Sequence, residues 1–86
     1  MKTKSKLVKH SGGYITLEIS EVINAGTPDQ YLRLIGYLFE RPCGVSWEHS
    51  ATLRRSGSVF PKRSQALRAL KIIHTKHKNG LTLKEI

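Results

Sequence analysis

Cys43, His49, His74 and His77 are the side chains in this 86-residue chain best suited to holding a metal or moving a proton. A lone cysteine cannot close an internal disulfide, and it excludes a structural metal site built mainly from thiolates. His74 and His77 fall in an expected strand, where residues three apart point to opposite faces and cannot share an ion. Cys43 with His49 as nucleophile and base lacks a third group to orient the imidazole. The six carboxylates are scattered, and Ser11-Gly12-Gly13 lacks the pattern of a phosphate-binding loop. The expectation is a protein that is not an enzyme and carries no metal and no cofactor.

What remains to explain is the positive charge. Fifteen Lys and Arg against six Asp and Glu leave a formal +9, and that charge is sorted along the chain. Residues 1–13 carry +4, residues 14–48 carry −3, and residues 49–86 carry +8. A one-sided positive potential attracts polyanions, and release of counterions condensed on phosphates supplies much of the binding free energy. The candidate contacts are therefore the cations and amides of the second half. They are Arg54, Arg55, Lys62, Arg63, Gln65, Arg68, Lys71, Lys76, Lys78, Asn79 and Lys84.

The elements that must position them follow from the apolar pattern. Residues 1–13 are polar and basic and end in Gly12-Gly13, which predicts a mobile basic arm, leaving residues 14–86 as the domain. Ile15, Leu17 and Ile19 alternate with Tyr14, Thr16, Glu18 and Ser20, the pattern of a half-buried strand. Thr27-Pro28-Asp29-Gln30 has the residues of a helix start: a hydroxyl cap, proline at the first position, an acid and a capping-box amide. Tyr31, Leu34, Ile35 and Leu38 follow at helical spacing, and Pro42 ends the run. A second helix is predicted from Ser46, with Glu48 in its first turn. A third runs from about Phe60 to Lys71, burying Phe60, Leu67 and Leu70. Trp47, Tyr31 and Phe60 are expected in the core. Asn79-Gly80 between residues 72–78 and 81–86 predicts a β-hairpin, with a three-residue loop giving the cleaner separation of faces.

Strand, helix, helix, glycine turn, helix, hairpin is an order that resembles winged helix-turn-helix DNA-binding proteins. The resemblance covers residues 14–86 and rests on Thr27-Pro28-Asp29-Gln30, Ser56-Gly57-Ser58, the run from Phe60 to Leu70, and Asn79-Gly80. In size and charge the chain is also similar to small phage and mobile-element regulators. The resemblance implies an α+β fold of three helices, an N-terminal strand and a C-terminal hairpin wing. It further implies a transcriptional regulator or DNA-architecture factor that binds double-stranded DNA. Arg63 would then meet guanine and Gln65 adenine, with Lys62, Arg68 and Lys71 on phosphates. Lys76, Lys78, Asn79 and Lys84 would act as the wing, Arg54 and Arg55 on the flanking backbone, and Lys2, Lys4, Lys6 and Lys9 as a groove-following arm.

Two other partners fit the same composition. One is RNA. The other is a protein, met by the acidic and apolar stretch from Tyr37 to Glu48, as an inhibitor of a nucleic-acid-processing machine would do. No apolar run is long enough to span a bilayer, and the N-terminal lysines lead into no apolar leader segment. A cytoplasmic location is expected. No heptad pattern is present, which leaves a homodimer through the first helix or a strand edge open.

Overall fold

Four strands followed by one helix make up residues 1–80, the part of the chain that the structure, a computed structural model, describes. Strand β1 (Thr3–Ser11) and strand β2 (Tyr14–Ile23) form a long hairpin. Its turn is Gly12-Gly13, with φ of 56° and 82°. A two-residue turn that matches strand twist needs both central residues left-handed, which glycine adopts without strain. Strands β3 (Tyr31–Arg41) and β4 (Gly44–His49) continue the meander, giving an antiparallel sheet of order β1-β2-β3-β4. Helix α1 (Arg63–Lys78) then packs across β3 and β4.

The predicted basic arm is therefore strand β1, paired with β2 along its length. Lys4, Lys6, Ser5 and Leu7 alternate in sequence, and that alternation outweighs the polarity of the segment. The strand expected at residues 15–19 is present and longer than expected.

The winged helix-turn-helix fold is not what forms: there is one helix among the described residues, where three were expected. The first expected helix is β3. A β-bulge at the Ile19/Ser20 step of the pairing sets Ile35 beside Gly36, so Ile35 and Leu38 both reach the core. Inward positions three residues apart imitate helical spacing. The helix-start residues instead close the β2–β3 loop. The Thr27 hydroxyl donates to Asn24 O at 2.8 Å, and Gln30 Oε1 accepts from the Gly26 N–H at 2.9 Å. Ser, Thr, Asn and Gln side chains satisfy loop backbone by the same bonds with which they cap helices.

The second expected helix is β4, where Val45, Trp47 and His49 are buried at period two. The third helix is real, but it starts at Arg63 and continues through residues 72–78, which had been expected as a strand. Asn79 is its C-cap and Gly80, at φ 78°, follows it. A left-handed glycine ends a helix as readily as it turns a hairpin. The second hairpin strand, residues 81–86, and Lys84 with it, lie outside the described residues.

The core lies between the helix and one face of the sheet. Leu17, Ile19, Ile35, Leu38, Val45 and Trp47 meet Ala66 and Leu70, with Ile15, Phe60, Leu67 and Ile73 around them. Trp47 is buried as expected, whereas Tyr31 is 47% exposed. Backbone of residues 54–60 runs along β4 through bridges at Val45–Phe60 and Glu48–Arg55. No helix among the described residues is long and apolar enough to cross a membrane.

Candidate nucleic-acid interface

Strand alternation assigns the other face of the sheet to a different set of side chains. Register places Lys6, Glu18, Tyr37 and Glu48 in one row across all four strands. The next row is Lys9, Thr16, Phe39 and Ser46, and Tyr14 and Arg41 lie beyond it towards the turns. The Tyr37 and Phe39 rings stack at 6.3 Å between centroids. Tyr14 is 56% exposed, and Tyr37 and Phe39 are half-buried.

The two rows differ in charge. Glu18 and Glu48 flank Tyr37, whereas the row through Phe39 contains no acid and ends in Lys9. Arg41 stands next to it, and Arg55 reaches over from the segment along β4. Arg55 pairs loosely with Glu48, at 3.6 Å, and its side chain is 74% exposed. Two hollows adjoin here. One of about 300 Å³ is lined by Phe39, Arg41, Ser46, Arg55 and Ser58. The other, about 320 Å³, is lined by Lys9, Tyr14, Ile15, Thr16, Phe39 and Arg41 and by Glu40, whose carboxylate accepts from Arg63. Phe39 and Arg41 belong to both, so the hollows form one groove across the turn end of the sheet.

Most of the site residues expected from the sequence lie elsewhere. The Arg63 guanidinium donates to Glu40 Oε2 at 2.7 Å, and Gln65 Oε1 accepts from the Lys62 N–H. Both groups assigned to base readout are thus engaged within the domain. Lys62 is the N-cap and Asn79 the C-cap of α1. Arg68, Lys71 and Lys76 line a shallow depression of about 330 Å³ with Ile72 and Met1, on the helix. Lys78 Nζ donates to Glu21 Oε1 at 2.9 Å. Arg54 is exposed in the segment after β4. Of the residues expected to meet nucleic acid, Arg55 lines the sheet groove, and so does Lys9, which was expected in a basic arm. Tyr14, Thr16, Phe39, Arg41 and Ser46 were not singled out as contacts. For Tyr14 and Thr16 the signal was there, since both are outward positions of a correctly predicted strand.

A second constellation is buried under the helix. On a helix, His74 and His77 share a face, contrary to the strand-based expectation, and both rings lie within 5.4 Å of the His49 ring. His49 Nδ1 is 2.8 Å from the Thr52 hydroxyl, His49 Nε2 is 3.2 Å from His74 Nδ1, and His74 Nε2 is 3.3 Å from Glu21 Oε2. A carboxylate can only accept, which fixes the direction of the chain when both rings are neutral. Thr52 donates to His49, His49 to His74, and His74 to Glu21. Burial holds the His49 imidazole below the usual histidine range, with His74 and His77 adding to the effect. Glu21 is held below the usual carboxylate range by the Lys78 hydrogen bond first and by His74 next, against the effect of burial. Among the described residues no three metal-ligating side chains are placed to hold an ion. Cys43 is exposed in the β3–β4 turn, while His49 is fully buried and committed to Thr52 and His74.

Comparison of the chain with protein-family models, curated proteins and solved structures finds no match. The functional reading rests on the geometry itself.

Proposed function

We propose that this protein binds nucleic acid through the open face of its sheet. The observation that carries the proposal is the groove at the turn end, where Lys9, Arg41 and Arg55 surround Tyr14 and Phe39 with no acid in the central row. Cations there neutralise phosphates, and the aromatic rings supply apolar area with a polar tip on tyrosine. Strand β1 brings Lys4, Lys6 and Lys9 of the basic N-terminal stretch to this side, while most cations of the second half lie on or next to α1. Readout by a recognition helix is not part of the proposal, since α1 covers the back of the sheet. The stretch from Tyr37 to Glu48 offers little to a protein partner, because Leu38, Val45 and Trp47 are spent on the core.

The test is fluorescence anisotropy with labelled single-stranded and duplex DNA and RNA across a salt series. Binding that falls with salt, and that weakens when Lys9 and Arg41 are both changed to Gln, is the expected result. Unchanged binding after that double substitution would remove the sheet face from the interface. Absence of binding to every oligonucleotide would end the proposal.

A further inference from the structure

Given that nucleic acid is the ligand of the sheet face, we infer that the groove takes it unpaired, one base in each hollow on either side of Phe39. Arg41 stands between the two hollows, placed to hold the backbone that links the bases. Three features point to a single strand. First, the groove carries aromatic surface beside the aliphatic Ile15 and Val59: Phe39 belongs to both hollows, Tyr14 lines one of them and Trp47 the other. In a duplex the faces of the bases are covered by their neighbours, so such rings find no partner, whereas an unstacked base presents its π-face.

Second, the groove has two compartments of nearly equal size, about 300 and 320 Å³. Phe39 and Arg41 line both, so the two adjoin, which suits two successive flat ligands better than one rigid cylinder. Third, the cations are spaced along the groove, with Lys9 at one end, Arg41 in the middle and Arg55 at the other. That order tracks a backbone crossing the strands, whereas the acid-bearing row through Glu18 and Glu48 would repel it on one side. Ser46 and Ser58 line the second hollow, where hydroxyls can meet base edges without demanding one base.

The experiment compares a labelled single strand of about ten nucleotides with a blunt duplex of the same sequence. It uses the wild type, Tyr14→Ala and Phe39→Ala, with far-UV circular dichroism to confirm that each variant folds. The single strand should bind more tightly than the duplex. Phe39→Ala should weaken single-strand binding roughly tenfold or more, and weaken duplex binding much less. Tyr14→Ala, at an exposed position where misfolding is not expected, should act in the same direction. A duplex that binds as tightly as the single strand, or single-strand binding indifferent to Tyr14→Ala, overturns the inference while leaving the nucleic-acid proposal standing. Failure of both oligonucleotides to bind wild-type protein overturns both.

Discussion

On the face of the sheet beneath α1 every buried polar side chain among the described residues has a hydrogen-bond partner, whereas on the opposite face aromatic and cationic groups stand together with few bonds between them. The covered face buries a carboxylate and two imidazoles in a domain too small to afford an unpaired charge. It therefore joins them into one directed chain from Thr52 to Glu21 and anchors the end with Lys78. The open face has no such need, since water can solvate Lys9, Tyr14 and Arg41. The difference teaches that polar groups here divide by what satisfies them: those bonded within the domain hold the fold together, and those left to solvent are available to a ligand.

That division can be broken at several points. The largest effect is expected at Gly36, opposite His49 in the β3–β4 ladder. A Cβ there would overlap the carbonyl oxygen of Glu48, a backbone atom that cannot move aside. Gly36→Ala should cost more than about 4 kcal/mol and leave little folded protein by circular dichroism. Next is His74→Ala, which strips Glu21 of its imidazole donor and leaves a void beneath the helix. About 3 kcal/mol of stability should be lost in urea unfolding, and oligonucleotide affinity of the folded fraction should not change.

A third effect needs no mutation. The unfolded chain protonates His49 near pH 6.5, and burial keeps the folded imidazole neutral to lower pH. The unfolded state then binds the extra proton, so stability is fully present above about pH 6.5 and declines as pH falls through the folded value. A proton added to His49 goes to Nδ1, which until then accepts from the Thr52 hydroxyl, so that hydroxyl has to turn and accept instead. Glu21 adds a loss of the same sign below about pH 4.5, where its unfolded form takes up a proton. The urea midpoint should therefore be lower at mildly acidic than at neutral pH, and His49→Gln should flatten that dependence. Arg63→Gln should matter less. Its pair with Glu40 is half-exposed, so about 0–1 kcal/mol is at stake. The smallest effect on stability belongs to Tyr14→Ala, within about 0.5 kcal/mol. A large stability loss there would show that the open face is structural after all and erase the contrast between the two faces.

The sequence made strand β2 and the core role of Trp47 legible, because alternation and residue type agree there, whereas the real hairpin turn at Gly12-Gly13 was read as the end of a mobile arm. It misled at β3, where the bulge at Ile35 put inward side chains three apart and gave a central strand the look of a helix face. It misled again at residues 72–78. Ile73, His74 and His77 belong to the helical period that starts at Ala66 and Leu70, but Asn79-Gly80 suits either a turn or a helix end. The groove was hidden for a different reason. Lys9, Tyr14, Phe39, Arg41 and Arg55 come from four separate segments, and only the register of the meander brings them together. Charge segregation was readable; which cations would be left to solvent was not.

Residues 54–60 cover the outer edge of β4, so among the described strands β1 is the one with an unpaired side. Such an edge is a template for a further strand. Lys4, Lys6 and Lys9 and the register break between Leu7 and Lys9 make it a poor one, because a second copy docking antiparallel would set ammonium groups against ammonium groups. The same lysines thus act as a charge lock on self-association. Neutralising those ammonium groups would remove the repulsion between two such edges.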